Sequence, residues 1–192
     1  MMANTIYDKD IRQPLCDYFE AKFGRVRFLE ELLISKTRAD MIMVTENGLV
    51  GIEIKSDADT YRRLARQIKD YDRYFDYNYV VVGSKHVAHV NEHVPAHWGI
   101  ISVEQIKNRL DFYDIRQPQI SPKAKLSNQL HLLWRRELAQ IQSNNHLYKY
   151  TGKSSSFVEK YIKESIEPAS LHKQIIDILM DRDYTVFKDS FV

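Results

Sequence analysis

Residues 38–55 read R-A-D-M-I-M-V-T-E-N-G-L-V-G-I-E-I-K, and this stretch decides the fold that the chain is expected to adopt. Two apolar runs, Met41 to Val44 and Leu49 to Ile54, flank the turn-forming residues Glu46-Asn47-Gly48. Apolar runs separated by such a turn are typical of a β-hairpin. The stretch therefore predicts two closely paired strands.

Three charged side chains stand at one end of this hairpin. Asp40 precedes the first apolar run, and Glu53 and Lys55 end the second. Side chains alternate between the two faces of a strand, so Glu53 and Lys55 are expected on one face, opposite Ile52 and Ile54. The hairpin is thus predicted to gather two carboxylates and an amine.

Two carboxylates and a lysine in this arrangement suit the metal-assisted hydrolysis of a phosphodiester. Carboxylate oxygens and a backbone carbonyl can hold Mg²⁺ or Mn²⁺, and the ion polarises the phosphoryl group and lowers the pKa of bound water. A lysine can orient the attacking water and stabilise developing negative charge. The ordinary alternative for a short Glu-x-Lys motif is a surface ion pair at a solvated strand edge.

The spacing of Asp40, twelve further residues and then Glu53-x-Lys55 resembles the motif of the PD-(D/E)xK nuclease superfamily, which has the restriction-endonuclease-like fold. Ala39 stands where that motif has proline. Residues 51–76, 81–86 and 95–101 also resemble a small prokaryotic and phage family of uncharacterised predicted nucleases. The resemblance implies an α/β fold with an α-β-β-β-α-β core, in which helices flank a mixed central sheet.

The same resemblance implies a role for each residue of the motif. Asp40 and Glu53 would hold the metal ion, the Ile54 carbonyl would add a ligand, and Lys55 would position the nucleophilic water. Glu31 lies nine residues before Asp40 and is an additional candidate for the metal site, with a plain surface acid as the alternative.

A helix predicted from Asp59 or Thr60 onward carries the next candidates. Gln67 and Tyr71 are four residues apart and therefore share a helix face. This Q-x-x-x-Y resembles the extra motif of the RecB-like and lambda-exonuclease-like branches, where it helps to hold the substrate strand or the metal-bound water. In the alternative, Tyr71 belongs to the core and Gln67 to the surface.

Three arginines are candidates for binding substrate: Arg38, Arg62 and Arg63. Arg38 precedes Asp40 by two and would share its face on a strand, where it binds a phosphate or pairs with an acid. The resemblance also places a supporting acid on the first helix, which makes Glu20 a candidate, although the pattern favours a surface role.

The remaining elements follow from periodicity and turn residues. The strands are expected at 25–33, at 77–83 as a buried parallel strand, and at 100–103 as the last strand of the core. The helices are expected at 10–23, from 102–105 onward, at 126–141, at 157–166 and at 171–180, and 108–115 is ambiguous.

Charge divides the chain unevenly although its net charge is only +2. Residues 1–115 are expected to form the nuclease-like core, and residues 116–192 a helical C-terminal subdomain that is basic over 116–163. That basic segment holds nine Lys/Arg against two Asp/Glu. It is suited to contacting the phosphates of DNA, and a solvated helical face explains it equally well.

Composition excludes several classes of protein. A single cysteine, Cys16, excludes an internal disulfide, and no apolar run has the length of a signal peptide or a membrane span. A cytoplasmic protein with no membrane partner is expected. His86, His89, His93 and His97 are spaced like metal ligands, but a closed zinc site usually has four ligands, often thiolates.

The sequence therefore favours a Mg²⁺-dependent deoxyribonuclease that acts in repair, phage DNA processing or defence. The alternative is a catalytically silent protein of the nuclease fold that binds DNA or assembles with another protein. A transcriptional regulator built on the C-terminal helices is a third, less favoured class, and homodimerisation is left open.

Overall fold

The structure is a computed structural model and describes residues 6–107 and 109–183. Residues 1–5, residue 108 and residues 184–192 lie outside the described residues. The beginning of the predicted core and the end of the predicted C-terminal subdomain are therefore not described. The strands are β1 Arg27–Ile34, β2 Thr37–Thr45, β3 Gly48–Lys55, β4 Tyr77–Gly83, β5 Gly99–Ile106 and β6 Arg109–Arg116. The helices are α1 Asp8–Phe23, α2 Leu64–Tyr74, α3 Val90–His93, α4 Leu126–Leu130, α5 Arg135–Asn144, α6 Ser155–Ser165 and α7 Pro168–Met180.

The six strands form one mixed sheet in the order β1-β2-β3-β4-β5-β6. The first three strands are antiparallel, β4 and β5 run parallel to β3, and β6 returns antiparallel to β5. The predicted hairpin is confirmed, with Thr45 paired to Gly48 at its turn. The predicted order α-β-β-β-α-β and the mixed α/β fold are confirmed as well.

Each face of the sheet has its own hydrophobic cluster, because successive side chains of the hairpin point to opposite faces. Met41 and Met43 belong to the cluster under α1, whereas Ile42 and Val44 belong to the cluster under α2 and the C-terminal helices. All eight residues of β3 are buried. The strand that ends in Glu53 and Lys55 is therefore the centre of the molecule.

Gly51 allows α2 to lie close against β3. A Cβ atom at this position would be 2.2 Å from Cδ2 of Phe75 and 2.7 Å from Cδ1 of Tyr71. Contacts that short do not occur between real atoms, so only glycine permits the rings of Tyr71 on α2 and of Phe75 just after it to pack on the strand. The close approach brings Tyr71 within reach of the backbone of β2 and β3.

Asp72 on α2 and Asp76 just after this helix bind the later parts of the chain. Asp72 accepts a hydrogen bond from the Trp98 indole at 2.8 Å. Asp76 accepts one from the Gln129 amide at 3.0 Å and lies 3.0 Å from the His172 ring nitrogen. The Asp76 contacts dock α4 and α7 on the turn between α2 and β4, and the division of the chain at residue 115 stays a prediction.

One prediction for the segment after the buried strand is wrong: the residues expected to begin a helix, 102–105, continue β5. The stretch that was ambiguous from sequence contributes residues 109–115 to the additional strand β6. Glu104 pairs with Asp111 and Gln105 with Leu110, so the backbone hydrogen bonds of this exposed hairpin are made between strands. Pairing with the strand that follows has overridden a local helix-start signal.

The helix expected over 126–141 is broken into α4 and α5. The break lies at 131–134, where Trp134 has extended backbone angles and donates its N–H to the Glu137 carboxylate at 2.7 Å. Glu137 is itself buried and bound by Arg182. The cap that begins α5 thus depends on a residue 45 positions away in the sequence.

The helix expected from Asp59 or Thr60 begins later than predicted. A short 3₁₀ turn, Tyr61–Arg63, precedes α2, and the Asp59 carboxylate instead accepts hydrogen bonds from the backbone and hydroxyl of Ser56. No helix in the described part of the chain is long and apolar enough to span a bilayer.

Candidate functional site

The candidate site lies where β2 and β3 separate. Backbone pairing between these strands runs from the turn to Met41 opposite Ile52 and stops there. The Tyr71 hydroxyl fills the gap that follows: it accepts a hydrogen bond from the Asp40 N–H at 3.1 Å and donates one to the Ile52 carbonyl at 3.3 Å. The separation frees the side chain of Asp40 from ordinary strand packing.

The Asp40 carboxylate reaches across the gap to the neighbouring strand. Its Oδ2 accepts a hydrogen bond from the Ile54 N–H at 2.9 Å. Burial and the nearby charge of Glu53 raise the pKa of Asp40 to about 7, whereas the Ile54 hydrogen bond and Lys55 act in the opposite direction. Asp40 and Glu53 therefore lie close enough to repel one another, as two ligands of one cation would.

Glu53 and Lys55 lie on one face of β3, as their spacing predicts. The Lys55 ammonium donates a hydrogen bond to Oε1 of Glu53 and another to the Gln67 side-chain oxygen at 3.3 Å. Gln67 in turn donates its amide to the same Oε1 of Glu53. The three side chains form a closed set of contacts in which Oε1 is used twice.

The second oxygen of Glu53 is left without a partner. Glu53 is fully buried, and within the described residues its Oε2 has no hydrogen-bond partner, although the Tyr71 hydroxyl lies near this carboxylate. An ionised oxygen buried without a partner is costly, and a bound cation removes that cost. The residues present therefore fit a divalent metal ion held by Glu53 Oε2 and Asp40.

These side chains open into a cleft of about 450 Å³. Asp40, Glu53, Ile54 and Lys55 contribute to its lining, and Gln67 approaches from α2. Four further cationic side chains line it as well: Lys36, Arg38, Arg63 and Arg66. We call these four the cationic rim, and three further acids also line the cleft: Asp8, Glu31 and Asp59.

Two predicted site residues, Tyr71 and Arg62, are not among the described residues that line the cleft. Tyr71 is completely buried and acts from behind, through the backbone of Asp40 and Ile52. Arg62 lies in the 3₁₀ turn, whose three-residue period takes it out of phase with α2. Arg66, four residues after Arg62, lines the cleft instead.

Glu31 lies directly across from Asp40 on β1, between the pairs Glu30–Met41 and Leu32–Ala39. Its backbone has a φ of 54°, unusual for a residue with a side chain, and its carboxylate forms ion pairs with Arg12 and Arg38. Glu31 lines the cleft and Glu30 does not. As a metal ligand Glu31 stays a prediction.

Sequence reasoning missed Asp8 and Arg12 on α1. Asp8 lines the cleft, and the Arg12 guanidinium donates hydrogen bonds to Asp8 at 2.7 Å and to the Asp40 backbone carbonyl at 3.2 Å. Glu20, the acid expected from this helix, is exposed and lies about 18 Å from Asp8 along the helix axis. The i, i+4 spacing of Asp8 and Arg12 was the available signal.

No group of three or more His, Cys, Asp or Glu side chains in residues 6–107 and 109–183 is arranged to hold a metal ion. Mg²⁺ does not require such a group, because it keeps several waters and binds through one or two carboxylates plus substrate phosphates. The histidines of 86–97 make other contacts: His86 meets the Ser56 carbonyl and His97 meets Asp72.

Comparisons with known proteins place the chain in a family. No match is found among the curated proteins. Among solved structures, SfsA of Pyrococcus furiosus in complex with Ca²⁺ is similar at 11% sequence identity and a TM-score of 0.35. That alignment covers 61% of this chain and 63% of SfsA, so the chain spans less than two thirds of the length of that protein. A family model described as bacteriophage P4 protein cII matches residues 1–192, the whole chain. The chain belongs to the bacteriophage P4 protein cII family.

Proposed function

We propose that the protein is a nuclease of the PD-(D/E)xK type that hydrolyses phosphodiester bonds of DNA with Mg²⁺ or Mn²⁺. The observation that carries the proposal is the unpartnered Oε2 of the buried Glu53, in a cleft that Asp40 and Lys55 also line. A buried acid with one unused oxygen beside a second acid is suited to binding a divalent cation.

Asp40 and Glu53 would hold the ion through their carboxylates, and the Ile54 carbonyl is the candidate for a third protein ligand. The bound ion would polarise the scissile phosphoryl group and lower the pKa of a bound water. Lys55 and Gln67 both use Oε1 of Glu53, which leaves Oε2 for the cation.

Lys55 supplies the cationic group of the proposed site. Its ammonium is held between Glu53 and Gln67, and its side chain is only 6% exposed. An ammonium fixed in this way can orient a water for attack and stabilise the negative charge that develops on the phosphate. Gln67 positions it, because its amide group contacts both charged residues.

The helix α2 holds both acids in place from one side. Gln67 contacts the Glu53 side chain, and Tyr71, one turn later, contacts the backbone of Asp40. The Q-x-x-x-Y spacing therefore has two distinct uses, one inside the cleft and one behind it. The cationic rim, which includes Arg63 and Arg66, is suited to the phosphates of a polyanion such as DNA.

Cleavage assays with labelled single-stranded, double-stranded and branched DNA test the proposal, in Mg²⁺ or Mn²⁺ and in EDTA. We expect metal-dependent cleavage that Asp40→Asn and Lys55→Ala abolish. Glu20→Gln is the matched control, since Glu20 begins the other Glu-x-Lys triplet and is exposed on α1.

Absence of cleavage on all three substrates would refute the enzymatic proposal. Salt-dependent DNA binding whose affinity is unchanged by metal and by the Lys55 replacement would instead favour a catalytically silent DNA-binding or assembly protein.

A further inference from the structure

Four aromatic rings cluster on the surface between α5 and α6, and we call them the aromatic patch: Tyr148, Tyr150, Phe157 and Tyr161. Tyr150 is the centre of the patch, with ring centroids 4.8 Å from Tyr148, 5.1 Å from Phe157 and 5.0 Å from Tyr161. Tyr148 is 69% exposed and Phe157 is 41% exposed. Partly buried rings thus support two that face solvent.

The helical period of α6 turns Phe157 and Tyr161 away from the buried side of that helix. Val158 and Ile162 are buried on the inner side of the helix, whereas Phe157, Lys160 and Tyr161 share the outer side. Tyr150 packs against the hydrophobic core, so the patch extends outward from the core. Tyr148 and Phe157 are the two rings of the patch that are exposed to solvent.

Three exposed lysines lie beside the aromatic patch, and we call them the patch lysines: Lys149, between Tyr148 and Tyr150, Lys153, and Lys160 on the outer side of α6. The Lys153 ammonium lies 5.5 Å from the Phe157 ring centroid, a cation–π distance. Lys160 also lies 3.8 Å from Glu164, a loose contact between two exposed side chains.

The acids of this region neutralise it only in part, because the exposed Glu164 that follows it contacts Lys160. Residues 116–163 contain nine Lys/Arg and only two Asp/Glu. Both acids are buried and already paired, Glu137 with Arg182 and Glu159 with His131. The surface that this segment presents to solvent is consequently cationic, and an anionic partner is the one that complements it.

Exposed aromatic rings beside cationic side chains are suited to binding single-stranded nucleic acid. The bases of single-stranded nucleic acid stack on aromatic side chains while its phosphates contact lysines, and this mode of binding is tolerant of sequence. Duplex DNA keeps the faces of its bases stacked inside the helix, so it offers phosphates to the lysines but nothing to the rings.

We propose that the aromatic patch and the patch lysines bind single-stranded DNA, with Tyr148 and Phe157 as the stacking groups. The assignment to DNA rather than RNA rests on the proposed function, whereas the single-stranded form follows from the exposed rings. The patch is distinct from the cleft, because its residues lie on α6 and on the loop before it.

The test is fluorescence anisotropy with the full chain in EDTA, so that cleavage does not contribute. The probes are a labelled 20-nucleotide oligo-dT, an RNA of the same length and a blunt duplex. We expect the double variant Tyr148→Ala/Phe157→Ala to raise the Kd for oligo-dT at least tenfold and to leave duplex binding unchanged, since one stacked ring is worth about five- to 150-fold in affinity.

Two variants serve as controls for the aromatic groups. Tyr113→Ala removes a tyrosine that is 43% exposed on β6, outside the patch, and should leave the Kd unchanged. Tyr148→Trp keeps a ring at the patch and should bind oligo-dT as tightly as the unmodified protein. Tyr148 and Phe157 face solvent, so circular dichroism should show the double variant folded.

Salt dependence tests the lysines separately. Replacing Lys149 and Lys153 together by Gln should reduce the slope of log K against log salt by about 1.4, because each phosphate contact with a single strand contributes about 0.7. An unchanged slope would overturn the role of these lysines.

Several results would overturn the stacking proposal: unchanged oligo-dT binding by the double variant, an equal loss in Tyr113→Ala, or an equal loss of duplex binding. Tighter binding of the RNA would overturn the assignment to DNA. Patch-dependent binding by a protein that cleaves nothing would refute the proposed nuclease alone. Metal-dependent cleavage with no effect of the double variant on binding would refute the patch alone.

Discussion

The hydroxyl of Tyr71 stands between β2 and β3, 3.1 Å from the amide nitrogen of Asp40. Tyr71 thus holds the backbone of an acid whose side chain it leaves free. The Q-x-x-x-Y motif assigned Tyr71 to the catalytic set. In the structure Tyr71 lies behind the cleft, and its hydroxyl bridges the backbones of the two strands.

Tyr71→Phe should therefore lower both stability and cleavage. It removes the hydrogen bonds to Asp40 and Ile52 and leaves their buried polar groups unpaired, which costs about 1–3 kcal/mol in the free energy of unfolding. Urea unfolding and cleavage rates check this. The control is Tyr61→Phe, which loses a hydroxyl contact to the His86 carbonyl outside the cleft and should keep full cleavage activity.

Gly51→Ala should disrupt the same region by overpacking. The added methyl group would lie 2.2 Å from the Phe75 ring and 2.7 Å from the Tyr71 ring, so α2 must shift away from β3. We expect a destabilisation of about 1–3 kcal/mol, measured by denaturant unfolding, together with reduced cleavage. Gly152→Ala is the matched control, because a Cβ atom there meets nothing within 4 Å. Equal stability of the two variants would contradict the proposed close packing.

Arg12→Lys should destabilise the protein, because it loses contacts with acids around the cleft although it keeps the positive charge. Arg12 contacts Asp8, Glu30, Glu31 and the Asp40 carbonyl, a set that a single ammonium cannot reproduce. The expected loss is about 1.5–3 kcal/mol in the free energy of unfolding, with slower cleavage.

Arg25→Lys provides the comparison for this variant. Arg25 makes an exposed ion pair with Asp181, and pairs of this kind contribute about 0–1 kcal/mol. Equal losses in the two arginine variants would show that the contacts of Arg12 have no special weight.

Divalent cations should raise the melting temperature of the unmodified protein. A ligand that binds only the folded state stabilises it in proportion to the logarithm of its concentration above Kd. Differential scanning fluorimetry over a Mg²⁺ or Mn²⁺ titration should show the increase, and Asp40→Asn should abolish it. Glu46→Gln, at an exposed acid in the hairpin turn, should respond like the unmodified protein. A melting temperature that neither ion changes would argue against the metal site.

Stability should fall at high pH through the contact between His172 and Asp76. The hydrogen bond with Asp76 raises the pKa of His172 above its usual value, so the folded state favours the protonated ring. This contribution is complete below about pH 6.5 and is lost as the pH rises through the raised pKa of the folded state. Melting temperatures between pH 5.5 and 9 should fall less steeply for His172→Gln than for the unmodified protein. Replacement of the exposed His146 by Gln should leave the slope unchanged.

The sequence by itself determined the hairpin, the helix that follows it and the meeting of Glu53 with Lys55. These features depend on local rules: alternation along a strand, the four-residue repeat of a helix face, and a turn of Glu46-Asn47-Gly48. Each can be judged from a window of a few residues. That window also identified Asp40 and Gln67, which the structure brings to the same cleft.

Only the tertiary structure decided the features that depend on distant partners. The Arg12 contact with Asp40 spans 28 residues, and the cap that begins α5 requires Arg182. The strand β5 continues through 102–105, where a helix start was expected, because pairing with β6 satisfies its backbone. Tyr71 lies behind the cleft because Gly51 lets its ring reach the gap between two strands. Local periodicity records which face of an element is apolar, whereas the position of a side chain relative to a site is determined by packing between elements.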